Sequence, residues 1–562
     1  MIILLFINLK LINMRKKFYY LLFIGILVFS YPVLGQKNVV VVEPDAGLEV
    51  GALNKAIEAV DSVDRNNTIF ELRRNSLYLI DGSISHTGYT LHIRAEEGTG
   101  TKPVLQAAVD VNGASSRQFT PGGDLILEHL YIVGMDELGA INVQPIRVAS
   151  DSLRIIIDDC VMDYSGQSMV RTNSSGNVVM ITNSVLRNSI LPDNPSNGRL
   201  IDSRGNPNDT LWISNCTLYN NSATQMRSDG GFTQFMNFDH NTVYQSSFDH
   251  NFALDIIFKA NVTNNIFYNF LYRGDNSTHE PFFRVDSMFT IGDQSDADRY
   301  FDLSNNNWYV QKEIGDIMDE FGPDTLYRFD DWDTDQSDTI WYREALRKNW
   351  FASDSLLARG LPLDTPTLVH FIINGQVDTT GLFREELTFK NPPPLNLDYW
   401  KFATENGWAI IGMDPPNAYA DEDTLALGEV PEKAFDFSYN LSSRSATAAD
   451  GGLPLGASVW VPFIPASAND VRLVNSVKIY PNPAENQVTF NFDSREVSSI
   501  KIQIFDLLGR ELQTVYGTIN QGNNDFVVSL NKLSYSGVFL YQMQLETRNG
   551  MKSIFSGKIV KK

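Results

Sequence analysis

A short motif that returns along the first half of the chain constrains the fold more than any other feature. Each copy is a run of Ile, Val, Phe or Thr, then Asn, Asp or His, a small or polar residue, and an apolar pair. Residues 155–162 read Ile-Ile-Ile-Asp-Asp-Cys-Val-Met and residues 180–186 read Met-Ile-Thr-Asn-Ser-Val-Leu. Further copies lie at 212–218, 238–243, 262–267 and 303–308, with an earlier one at 126–132. The steps from Asp159 to Asn183 and from His240 to Asn264 are each 24 residues. Self-similarity at such a period predicts a solenoid, whose units bury their apolar faces only against neighbouring units. β-branched and aromatic runs bounded by Asn, Gly and Ser read as strand and turn. The 3.6-residue periodicity of a helical solenoid is missing from the repeat. Asn at one position of every coil can stack its amides along the axis. The expected fold is all-β: a right-handed parallel β-helix, with its clear coils over roughly 75–310. The alternative, a sandwich of short strands, calls for turns about every 8–12 residues, a regularity not found here.

The two cysteines bear on this reading. Cys160 and Cys216 occupy the same place in the repeat, with Ser184 in an intervening copy. Coils about 4.8 Å apart put their Cα atoms roughly 9–10 Å apart, whereas a disulfide needs less than about 7 Å. Free, buried thiols are therefore expected.

Ahead of the coils, residues 50–63 place apolar side chains at helical spacing. A solenoid has an open apolar end, so this helix is expected to cap it. The helix is followed by Thr68-Ile-Phe-Glu-Leu72, Tyr78-Leu-Ile80, Leu91-His-Ile-Arg-Ala95 and Lys102-Pro-Val-Leu105. That succession resembles the opening of pectate-lyase-like and chondroitinase-B-like β-helices of secreted bacterial proteins. The resemblance covers roughly half of the chain, is of fold, and carries no invariant catalytic motif. It implies a carbohydrate-active protein acting on a polysaccharide.

The address is legible at both ends. Arg15, Lys16 and Lys17 precede an apolar run, Phe18 to Ser30, and Val33 and Gly35 stand at positions −3 and −1 of a cleavage site. Residues 1–35 are thus expected to be a signal peptide, with translation starting at Met14 in view of the extra apolar run before it. No later stretch is long and apolar enough for a membrane span. At the other end, residues 472–562 alternate short strands and turns, as a small antiparallel β-sandwich does. Tyr480-Pro481-Asn482-Pro483, Asp506, Gly509-Arg510, Gly537 and Lys558 mark its motifs. Their order resembles the type A C-terminal sorting domain of the type IX secretion system of Bacteroidetes. The resemblance implies recognition by an outer-membrane translocon and a secreted or cell-surface destination. An ordinary immunoglobulin-like accessory domain is the alternative.

Between coils and tail, residues 311–471 form an acidic, less regular stretch expected to continue and close the β-helix region. Asp331, Asp333 and Asp335 resemble the opening of a calcium loop, but Gln336 replaces the usual Gly and Tyr342 the closing Glu. Calcium is thus a candidate cofactor, with a solvated acidic loop as the alternative.

The formal net charge of −22 argues against nucleic acid and anionic membranes as partners. An acidic polysaccharide would be repelled at long range unless basic residues cluster locally or calcium bridges the carboxylates. Such a cluster is predicted. Arg147 and Arg171 each stand 12 residues before a coil landmark, Asp159 and Asn183, so they should stack on adjacent coils. Arg204, 11 before Asn215, could extend the row, with Asp202 beside it. Guanidinium forks suit carboxylates and sugars, and the candidate chemistry is β-elimination of a uronate glycan. A purely structural Arg–Asp ladder, and a noncatalytic glycan-binding or adhesin-like monomer, are the competing readings. His129 and His240 occupy landmark columns and are expected to be structural.

Overall fold

The computed structural model describes residues 37–46, 49–246, 252–254, 256–270, 283–285, 294–321, 371, 374–406, 410–419, 435–460, 474–494, 498–506, 511–533, 535–547 and 552–562. The leader 1–35, Asp331, Asp333, Asp335, Gly509 and Arg510 lie outside the described residues. Two compact units are present: residues 1–386, 393–435 and 455–459, and residues 387–392, 436–454 and 460–562.

The first unit is a parallel β-helix. Among the described residues three sheets, here A, B and C, carry eleven, nine and eight strands, and every pairing in them is parallel. One coil runs from sheet A (Arg154–Asp158) through sheet B (Val161–Ser165) to sheet C (Ser168–Thr172), and the next begins again on sheet A (Asn177–Thr182). Along each strand, residues alternate between the interior and the surface, so Ile155 and Ile157 fall into one continuous core with Val179, Ile181, Leu211 and Ile213.

The conserved-looking polar step of the repeat has a backbone cause. The turn from sheet A to sheet B is so tight that one residue of each coil is left-handed: His129, Asp159, Asn183, Asn215, His240, Asn264 and Asn305 all have φ between 47° and 60°. Asn, Asp and His tolerate that region better than other residues with a Cβ. The next residue points inward and builds a ladder. Asn241 donates its backbone N–H to Asn265 Oδ1 at 2.7 Å, and Asn265 donates its own to Asn306 Oδ1 at 2.9 Å. Cys216 N–H bonds Asn241 Oδ1, Ser184 N–H bonds Cys216 Sγ, and Cys160 N–H bonds Ser184 Oγ. The cysteines are thus members of a hydrogen-bond column, in which sulfur serves as the acceptor.

Both thiols are free and buried, and burial pushes each up to about 12. Nucleophilic thiolate is then scarce at neutral pH. Neither should react with an aromatic disulfide reagent in the native protein, and both should react after unfolding. Labelling of the folded chain would contradict this placement.

The N-terminal helix, Ala52–Ala59, buries Leu53 and Ile57 in the core against Phe70 and Tyr78, as a cap should. At the far end Val377–Asp378 adds the last strand to sheet A. Residues 394–406 and 410–419 do not form further coils; they lie over the outer surface of sheet B. The helix Leu397–Glu405 buries Tyr399 and Trp400 with Ile190, and Ile314 and Ile317 of the helix Lys312–Phe321 join the same cluster. Residues 456–458 run along the A–B turns. Gly456 and Ala457 donate to Asn264 O and Thr242 Oγ1, and Ser458 donates to Asn215 Oδ1. A Cβ on Gly456 would stand 2.4 Å from Thr242 Oγ1, and its φ is +82°, so glycine is required there.

The second unit contains a three-stranded and a four-stranded antiparallel sheet with one apolar core, including Phe490, Ile502, Phe539 and Ile559. Among the described residues, no helix is long and apolar enough to cross a membrane.

Candidate functional site

Two Asp–Arg arrangements decorate the outside of the β-helix, and their contrast identifies the site. On sheet B, Asp163 and Arg187 are register partners. Arg187 Nε lies 2.7 Å from Asp163 Oδ2, with both side chains essentially inaccessible to solvent. Tyr131 donates its hydroxyl to the same oxygen at 2.6 Å, and Asn188 Nδ2 donates to the other. Arg187 also donates to the Tyr131 and Tyr219 hydroxyls. Tyr219, Tyr244 and Tyr268 continue this row in register and are buried. This network is closed: its donors and acceptors meet one another under a covering layer, which suits structure and leaves nothing for a ligand. The same burial removes these three tyrosines as stacking platforms for sugar rings.

Sheet C is different. Arg147 and Arg171 pair in register on adjacent strands, as their spacing predicts. The next partner of Arg171 is Asp202, and the partner of Asp202 is Arg227. Arg204 is not in the row: it follows the strand Arg199–Asp202, exposed, in a left-handed turn conformation with φ 51°. Arg204 stands 11 residues before its landmark, not 12, and a one-residue bulge, where Asn177 and Val178 pair with Asn208 and Thr210, skipping Asp209, moves the row position the other way, to 13. The bulge lengthens the path from sheet C to the next landmark by one residue, so a fixed offset misplaces the row. The same added residue hid Arg227, which counting one step further back from His240 would have found. Arg117 and Arg199 also belong to this face and carried no repeat signal.

The guanidinium groups here are held loosely. Arg171 is half-buried and donates through Nη1 to Gln167 Oε1 at 2.5 Å, while its Nε has no hydrogen-bond partner among the described residues. Arg117 Nε is likewise buried without a partner there. Burial, and then the charge of Arg204, lower the Arg171 pKa from its ordinary value; Asp202 opposes this, and Arg147 and Arg227 add to it. Burial, then Arg147, lower Arg117 in the same way. Arg227 pairs with Asp229 at the edge of the row. Buried polar atoms are nearly always satisfied in folded proteins, so unmet donors concentrated on one face mark a place for a polar ligand.

His129 and His240 lie elsewhere, on the A–B turn. Their Nδ1 atoms contact Asp159 Oδ2 at 2.7 Å and Asp239 Oδ2 at 2.8 Å, in the structural role expected. Among the described residues no group of three or more His, Cys, Asp or Glu is arranged to hold a metal ion.

In the second unit, Asn482 acts as a side-chain clasp. Its Nδ2 donates to Lys558 O at 3.0 Å and its Oδ1 accepts from Val560 N–H at 2.8 Å, which ties the Tyr480–Pro483 segment to the last strand. Tyr480 donates to Asp525 Oδ1, Asp506 is buried, and Gly537 opens the strand Gly537–Thr547. Residues 478–559 match the secretion system C-terminal sorting domain. The tail is a sorting module. The protein is accordingly handled by the type IX secretion system and is secreted or displayed at the cell surface. No curated protein matches the chain.

Proposed function

We propose that the arginine face of sheet C binds an acidic, uronate-containing polysaccharide outside the cell and cleaves it by β-elimination. The observation that carries this reading is the open row itself: Arg147, Arg171 and Arg227 share one outward line, and Arg171 keeps an unengaged Nε. On a chain of net charge −22, a local cationic stripe also gives an anionic polymer one favourable place to land. The resemblance of the coils to pectate-lyase-like β-helices supports the same substrate class by analogy of fold.

In this scheme, Arg147, Arg204 and Arg227 neutralise the carboxylates of successive bound uronates, and neutralisation at the reacting unit makes its C5 proton acidic. Arg171, its protonated form disfavoured by burial and like charges, accepts that proton through a guanidine nitrogen. The C5 electron pair then forms the C4–C5 double bond as the C4–oxygen bond breaks. The product is an unsaturated uronate, and the departing oxygen takes a proton from solvent.

The test is ultraviolet absorbance in the unsaturated-uronate band, with purified protein incubated with pectate, alginate or glycosaminoglycans, with and without calcium. A rise on at least one polymer is the expected result. Retention on a polymer without any rise would make the face a noncatalytic binding surface, and neither retention nor a rise would overturn the proposal.

A further inference from the structure

The order of charges along the sheet C row is not uniform: Arg147, Arg171, Asp202, Arg227, one coil each. Coils are about 4.8 Å apart, close to the length of one pyranose unit, so consecutive sugars lying along the axis would face consecutive residues of the row. We propose that Asp202 is a specificity-determining residue that selects an uncharged sugar at its step, so that the preferred ligand is a polyuronate whose charges are interrupted. This rests on the reading of the row as a uronate-binding face.

Asp202 is fully buried, and neither carboxylate oxygen accepts a hydrogen bond among the described residues. Its ion pair is with Arg199 Nη1, at 3.8 Å. Arg199 is fixed independently by Asn197 Oδ1 at 3.0 Å and by Ser196 O at 2.7 Å. Asp202 therefore holds no strand or guanidinium in place through hydrogen bonds, in contrast to Asp163, whose oxygens are engaged by Arg187, Tyr131 and Asn188. A carboxylate is costly to bury and is rarely left so. What it exerts on the surface is a field. With Arg199 offsetting it, this step of the row presents no net cation, while the steps on either side do. A ligand carboxylate held there lies beside the Asp202 carboxylate and finds no net cation to pair with, which lowers its affinity relative to the neighbouring steps by about tenfold at an intermediate effective dielectric. A neutral sugar avoids that repulsion while its neighbours keep Arg171 and Arg227.

The experiment compares two preparations of one galacturonate polymer of matched length, fully de-esterified or partly methyl-esterified. Each is titrated calorimetrically into the full chain at fixed ionic strength. A partly esterified polymer can slide until an uncharged unit faces Asp202, so the wild-type protein should bind it several-fold tighter. Asp202→Asn, nearly isosteric, should reverse that ratio, with the de-esterified form gaining about tenfold. Arg199→Gln, which removes the offsetting cation, should shift the ratio the opposite way and guards against a variant that fails to fold. A purely structural Asp202 would weaken both polymers equally, and an unchanged ratio overturns the assignment. Binding of neither polymer by the wild-type protein instead overturns the uronate reading on which it rests.

Discussion

Arg187→Ala is expected to destabilise the β-helix unit by about 3–5 kcal/mol, because it leaves a buried carboxylate without its cation. Asp163 lies in a site that water does not reach, and Arg187 supplies its only ion pair there among the described residues. The variant also removes the guanidinium donor from which the Tyr131 and Tyr219 hydroxyls each accept. A paired substitution, Asp163→Leu with Arg187→Met, should cost far less, since replacing both charges by apolar groups removes the desolvation penalty along with the attraction. Denaturant titration of wild type, single and double variants measures this. A single variant within about 1 kcal/mol of wild type would show that the network does not hold the coils together. Polysaccharide binding by whatever fraction stays folded should be unaffected.

Arg171→Ala should do the reverse. Among the described residues its half-buried side chain has one hydrogen bond, to Gln167, and its Nε has no partner, so the fold loses little. The elimination rate should fall at least about a hundredfold, the usual contribution of a positioned general base. Arg171→Lys should restore part of it, because a partly buried ammonium can also give up its proton and serve as a base. Calorimetry, ultraviolet assay and circular dichroism on the same preparations separate the cases. Undiminished activity in a folded Arg171→Ala protein would remove Arg171 from the chemistry. The opposite patterns expected for Arg187 and Arg171 follow from one distinction, a closed set of donors against an open one.

Arg204→Ala offers a smaller test of the same site. Its exposed position beyond the strand, and its charge acting on Arg171, predict weaker binding that depends on salt, without loss of the row's geometry.

Much of this was open to reading from the residues. From Glu128 onward the described coils turn from sheet A to sheet B through one left-handed residue, and Asn, Asp and His accept that geometry, so local backbone sterics wrote the repeat into the sequence. The alternation of inward Ile and Val with outward polar residues, the capping spacing of Leu53 and Ile57, and the unbridged cysteines follow from equally local rules. The sorting tail was legible for a similar reason: in its Tyr480–Pro483 motif a particular side chain, Asn482, makes particular bonds.

Other features were decided only in three dimensions. Register along sheet C depends on a bulge at Asp209, and that one residue moves the row position from Ser203, where the 12-residue offset points, to Asp202. Arg117, Arg199 and Arg227 reach the face from strands and turns whose lengths vary from coil to coil. Above all, Arg187 and Arg171 look alike in the chain, each an Arg in a short β-strand. One is buried and bonded to Asp163, Tyr131 and Tyr219, whereas the other keeps a donor without a partner among the described residues. Local sterics set how each coil bends, but burial and partnership are sums over distant segments, and these made one arginine a structural strut and the other a candidate base.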